Sequence, residues 1–210
     1  MAIGREAILG WLDALRQVYA ANRERLTELD AAIGDADHGT NMDRGFTAVH
    51  AALAAQAPSD AGDILKSAAM VLIRTVGGAA GPLYGTFFLR AAAACAGKTE
   101  LSPADVVALF QAGIEGVQQR GKAEPGDKTM IDALLPALAA MRAAAARGAD
   151  IAGLMDDGVA AAEAGMLGTI PLQARKGRAS YLGARSIGHQ DPGATSAFLL
   201  VKAAAATWRA

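Results

Sequence analysis

Residues 8–29 read ILGWLDALRQVYAANRERLTEL. Ile8, Trp11, Leu12, Leu15, Val18, Tyr19, Leu26 and Leu29 recur at steps of three and four, which places the apolar side chains along one face of a helix. The same spacing returns in Val106, Val107, Phe110, Ile114 and Val117, and in Met130, Leu134, Leu135, Leu138 and Met141. Alanine, the best helix former, fills most positions between them. No run of alternating β-branched residues reads as a strand. Breakers divide the chain into about eight helical segments, spanning roughly 4–29, 39–56, 61–76, 81–96, 103–120, 128–147, 151–170 and 193–208. Ser102 and Pro103 make a clean helix start, as N-cap and first helical residue. Pro136 falls inside the sixth segment, where it is expected to kink the helix. With no Pro/Ser-rich linker and no internal repeat, residues 1–210 are expected to form one all-α domain.

The chain has 210 residues, of which 52% are hydrophobic and 20% charged, so it has enough apolar material for a core and is not a disordered chain. A net charge of -1 argues against a nucleic-acid binder, which needs a basic excess. Cys95 stands alone in an alanine-rich helix, without a disulfide partner or an activating neighbour in sequence. Glu6, Asp13 and Arg16 interrupt the N-terminal apolar run, so no secretory signal is read there. The alanine-rich stretches fall short of a membrane span. The expected location is the cytoplasm.

The connections between helices are unusual. Four of them are dense in glycine: IGDADHGTNM at 33–42, VGGAAGPLYGTF at 76–87, RGKAEPGDKTM at 120–130 and ARKGRASYLGARSIGHQDPGATS at 174–196. Ordinary helix connections are short, and long ordered ones are commonly binding loops. In the first, Asp30, Asp35 and Asp37 lie within eight positions. Gly34 permits a tight turn, and Asp35 and Asp37 in an extended loop point to the same side. Carboxylates suit magnesium, and three of them together are costly without a cation. An isolated D-x-D is more often a turn or a helix cap. A calcium EF-hand fails, because the register from Asp35 puts Gly39 at the fifth position, Thr40 at the sixth and Phe46 at the twelfth. His38, Gly39, Thr40 and Asn41 then open a helix, whose N–H groups attract anions.

Gly77, Gly78, Ala79, Ala80 and Gly81 suit either a tight turn or an anion-binding nest. Residues 116–123, GVQQRGKA, nearly match a Walker A loop. The final hydroxyl residue is missing and the segment follows a helix instead of a strand, so that reading is rejected. Gly121 reads instead as a helix C-cap. Arg175, Lys176 and Arg185 read as solvated charge, and Arg178 as a phosphate-binding candidate. Asp191 is a candidate N-cap, followed by the Pro192-Gly193 turn. His189 has no spaced metal partner.

The segments IGDADHGTNM, VGGAAGPLYGTFF, RGKAEPGDKTM and QARKGRASYLGARSIGHQDPGATS resemble the DhaL family, the nucleotide-binding subunits of bacterial dihydroxyacetone kinases. The resemblance runs from about Trp11 to the last helix. It implies an antiparallel eight-helix barrel with a nucleotide site formed by loops at one end. Asp30, Asp35 and Asp37 would hold two magnesium ions against the phosphates of ADP. His38, Gly39, Thr40, Asn41, Ala79, Ala80, Gly121, Met130, Arg178, Asp191, Pro192 and Gly193 would contact the nucleotide. Ala80 stands where the family often has serine. No catalytic side chain is assigned to this chain, since a base acting on the sugar could come from the substrate-binding partner.

The activity implied is phosphoryl transfer, which needs positioning and charge neutralisation more than covalent catalysis. Bound ADP would accept phosphate from a phosphohistidine on a DhaM-type donor, and the ATP formed would serve dihydroxyacetone on a DhaK-type subunit. The alternatives are a subunit of an ATP-dependent kinase for dihydroxyacetone or erythrulose, and a binding module for a transcription regulator. A homodimer is what the family suggests.

Overall fold

The computed structural model describes residues 3–55, 58 and 60–209. Among these, nine α-helices follow one another: α1 Arg5–Ala21, α2 Arg23–Ile33, α3 His38–Ala55, α4 Ala61–Thr75, α5 Ala80–Ala94, α6 Pro103–Gly121, α7 Ile131–Ala146, α8 Ile151–Gly168 and α9 Pro192–Thr207. A short 3-10 stretch, Arg178–Ser186, lies in the long α8–α9 connection and is interrupted at Gly183. The strands β1 (Ile3–Gly4) and β2 (Glu100–Leu101) pair antiparallel, with Ile3 opposite Leu101.

The expected all-α architecture is present, and the helices close a ring. Helix α1 packs on α3 and on α9, and each helix from α3 to α8 packs on its successor. Helix α2 prolongs the line of α1 and packs on the same two neighbours, α3 and α9. Eight staves therefore form the barrel, and one stave is broken into α1 and α2. The break was not expected, because the apolar spacing runs straight through it. Asn22 causes it: both its backbone N–H, at 3.0 Å, and its side-chain amide, at 2.8 Å, donate to the Val18 carbonyl. A side-chain amide competing for a helical carbonyl bends the chain. The second segment, expected to reach 56, is described to Ala55, since residue 56 lies outside the described part.

The other boundaries follow local chemistry. Ser102 accepts from the Asp105 N–H while Asp105 accepts from the Ser102 N–H, closing a capping box with Pro103 in the first turn. Asp60, Asp150 and Asp191 cap α4, α8 and α9. Pro136 sits inside α7, where a missing N–H releases the carbonyl of Asp132. Gly165 of α8 lies against that carbonyl, where a β-carbon would not fit.

The core is a chain of aromatic rings. Trp11 lies 5.5 Å from Phe88 and 5.0 Å from Trp208, and Tyr19 lies 4.8 Å from Phe46. The buried polar tips are satisfied: Trp11 Nε1–H donates to Leu200 O and Trp208 Nε1–H to Ala7 O. Almost all of α9 is buried, with Lys202 and Ala206 its exposed residues. Among the described residues no helix is long and apolar enough to cross a membrane.

Candidate functional site

Alternate connections of an up-and-down ring meet at one end. Those after α2, α4, α6 and α8 surround a cavity of about 390 Å³. These are the four glycine-dense segments. The N-termini of α3, α5, α7 and α9 open onto it, through His38, Ala80, Ile131 and Pro192.

The acidic wall is built by a turn that folds back on its own helix. Gly34 N–H donates to the Asp30 carbonyl at 2.5 Å, and Ala36 takes a left-handed φ of 61°. The chain then returns so that Asp30 Oδ2 accepts from Asp37 N–H at 2.8 Å and His38 N–H at 3.1 Å. Asp30 thus caps α3, and a β-carbon at position 34 would collide with its carboxylate. Carboxylate oxygens of Asp30, Asp35 and Asp37 come within 4.8 Å of one another. Hard oxygen donors at this spacing fit magnesium. Arg178 offsets part of the charge, with its Nε 2.9 Å from Asp35 Oδ2.

The opposite wall is the start of α5. Gly77, Gly78, Ala79 and Ala80 line the cavity, and α5 begins without a side-chain cap. Its first-turn N–H groups are therefore the orphan donors that suit an anion. Gly78 takes φ +63° with no atom in the way of a side chain, so glycine is needed there for conformation. Gly77 is needed for space, because a β-carbon would stand 3.1 Å from Asn41 Oδ1. That amide is itself fixed by Arg44, which donates to it at 2.5 Å and to Thr75 O at 2.9 Å.

His38 is tied into the barrel. Its Nε2 lies 2.9 Å from Ser196 Oγ, which also accepts from Tyr84 O–H at 2.7 Å. Burial pushes the imidazole pKa down, against the pull of Asp30 and Asp37, and so favours the neutral ring. Asp191 accepts from Ala194 N–H at 2.6 Å, so it is the N-cap of α9. Burial pushes its carboxyl up to about 7, against that bond and the Lys128 ammonium.

The cavity wall brings together Asp30, Asp35, Asp37, His38, Asn41, Ala79, Ala80, Gly121, Met130, Arg178, Asp191, Pro192 and Gly193. Gly39 and Thr40 stand outside it. On a helix starting at His38, residues 38 and 41 share a face and 39 and 40 turn away. Gly39 packs against the Arg23 carbonyl and Thr27 of α2, and Thr40 is exposed. Gly121 is the last residue of α6, and the left-handed C-cap falls on Lys122, with φ 49°. A β-carbon at position 121 would stand 3.2 Å from the end of the Leu83 side chain. The wall also contains Arg120, Lys128, Thr129, Lys176 and Gly177, which sequence reasoning did not single out as contacts. All five lie in the glycine-dense segments, which was the available signal. Tyr84 lies four residues after Ala80, one helical turn deeper on the same face.

A family model described as the DAK2 domain matches residues 32–206. The chain is 46% identical over 202 residues to the PEP-dependent dihydroxyacetone kinase ADP-binding subunit DhaL of Escherichia coli K12, covering 96% of each chain. It is 40% identical to the PTS-dependent dihydroxyacetone kinase ADP-binding subunit DhaL of Lactococcus lactis, covering 93% of each. Human triokinase/FMN cyclase is 37% identical over 86% of this chain, which spans 31% of that protein. The crystal structure of the C. freundii dihydroxyacetone kinase in complex with AMP-PNP and Mg2+ shares the fold, at TM-score 0.73 and 24% identity. That match covers 95% of this chain and 33% of the C. freundii chain.

Proposed function

Because the chain belongs to the DAK2-domain family, we propose that it is the nucleotide-carrying phosphotransfer subunit of a dihydroxyacetone kinase, acting as one domain. ADP held in the cavity is the acceptor for a phosphoryl group from a DhaM-type phosphohistidine protein. The ATP formed serves dihydroxyacetone on a DhaK-type partner, and the subunit works as a homodimer in the cytoplasm. The observation that carries this reading is the pairing, inside one cavity, of three carboxylates with an uncapped helix start. Near-full-length similarity to proteins named as ADP-binding subunits supports ADP as the nucleotide.

The residues present fit the groups proposed. Asp30, Asp35 and Asp37 would hold two magnesium ions, and the donor set is all oxygen. Magnesium would neutralise phosphate charge and polarise the bond being exchanged. The chain's own residues do the rest. The α5 start offers N–H groups to phosphate oxygens, and Arg178, already at the carboxylates, is placed to share a phosphate. Neutral His38, anchored on Ser196, adds no cation of its own beside the metal site. The sugar-activating base is assigned to the DhaK-type partner.

The test is to purify the protein without added nucleotide, denature it and identify what is released. Retained ADP, together with turnover on DhaK that requires phosphorylated DhaM, is the expected result. Turnover with free ATP and no retained ADP would sink the carrier reading and favour an ATP-dependent ketose kinase.

A further inference from the structure

Lys128 is 1% exposed, the most deeply buried charged side chain among the described residues. Its backbone is left-handed, with φ 63°, a conformation that costs energy for any residue with a β-carbon. The ammonium lies within hydrogen-bond distance of the carbonyl oxygens of Thr169 at 2.8 Å, Ile170 at 3.4 Å, Leu172 at 3.1 Å and His189 at 2.5 Å. An ammonium has three protons. Four carbonyl acceptors exceed its protons, so none is left for a ligand in the cavity that Lys128 lines.

The four acceptors stand at the two ends of the α8–α9 connection. Two more bonds close the same ends: Gly188 N–H to Ile170 O at 2.8 Å, and Asp191 N–H to Thr169 Oγ1 at 3.0 Å. Within this clasp lies the stretch 176–179 that forms one wall of the cavity, and just beyond it lies the Asp191 turn that forms another.

We propose that Lys128 is a positioning residue for the nucleotide site, its ammonium cinching the base of the α8–α9 connection so that both walls stand where phosphates bind. This rests on the nucleotide reading above. Without the ammonium, the Leu172 and His189 carbonyls lose their donor while Thr169 keeps the Leu172 N–H and Ile170 the Gly188 N–H, so the two ends of the connection lose the group that joins them. Such a carbonyl cage is chemically a site for a small monovalent cation, so a free ammonium ion should substitute for the missing side chain.

The test compares wild type with Lys128→Met and Lys128→Ala. Helical content is read by circular dichroism, ADP affinity with magnesium by calorimetry, and opening of residues 173–190 by amide hydrogen exchange. Lys128→Met should keep its helical content, bind ADP roughly ten-fold more weakly or worse, and exchange faster in 173–190 but not in α4–α6. Lys128→Ala should do the same and regain affinity in ammonium or methylammonium chloride, but not in tetramethylammonium chloride at equal ionic strength. Unchanged affinity in Lys128→Met, or no relief by ammonium in Lys128→Ala, overturns the proposal. Failure of the wild type to bind ADP overturns the nucleotide reading instead. If both variants fail to fold, acylation of the wild type decides: Lys128 should label on the order of 100-fold more slowly than exposed Lys176, and equal labelling overturns the cage.

Discussion

Asp30 divides its work between its two oxygens. Oδ2 caps α3, and Oδ1 has no donor within hydrogen-bond distance among the described residues. Two substitutions separate the roles. Asp30→Ala removes the cap and should cost about 1 kcal/mol, a fall of about 2–4 °C in unfolding midpoint for a chain of this size. Asp30→Asn keeps an oxygen for the cap and should stay near the wild-type midpoint, while magnesium-dependent ADP binding is lost in both. Thermal melts and calorimetry check the pair, and ADP binding retained in Asp30→Asn would remove this residue from the proposed metal site. Asp191 carries a pH signature of its own. Its folded pKa of about 7 lies above the ordinary carboxylate value of about 3.9, so the folded state binds the extra proton between those values. Stability from this group is complete below pH 4 and is lost as pH rises through about 7. In magnesium-free protein, Asp191→Asn should flatten the pH dependence of the midpoint between pH 5 and 8, measured by melts across that range.

At the scale of elements, the α8–α9 connection is held at its base and exposed at its crest. Arg175, Lys176 and Arg178 are exposed there, beside Gly177 at φ 63°. Trypsin should therefore cut first between 175 and 178, and ADP with magnesium should slow that cut by drawing Arg178 into the site, as read from fragment masses over time. How far such elements are legible in sequence depends on what holds them. Leu134, Leu138 and Met141 announce α7 by spacing alone, because one buried face dictates the pattern. Asn22 breaks a stave without Gly or Pro, through a side-chain amide whose competition for Val18 leaves the apolar period intact. The carboxylate trio and Gly78 stood out because three acids within eight positions and a backbone at positive φ each leave a mark in residue type. Gly39 and Thr40, read as contacts, fall outside the cavity wall, since the helical period starting at His38 turns them from the face of Asn41. Lys128 was illegible, since a lone lysine reads as solvated until four distant carbonyls are seen around it.

For the whole molecule, the ring closes along α1 and α9, the first and last helices, so nothing is complete until the last stave is in place. Trp208 seals that seam, with its ring 5.0 Å from Trp11 and its N–H on Ala7. Trp208→Ala should cost about 3–5 kcal/mol, lowering the midpoint by roughly 10 °C. The transition should remain single and cooperative in calorimetry, and two separated transitions would show that the ring does not melt as a unit. The same seam has an optical consequence. The chain's two tryptophans, Trp11 and Trp208, are both there. Trp208 lies at the end of α9 opposite Pro192, roughly 24 Å from the cavity rim at 1.5 Å per residue. Their emission is thus a gauge of barrel closure that is blind to filling of the cavity, so the protein carries a built-in signal that separates being folded from being loaded.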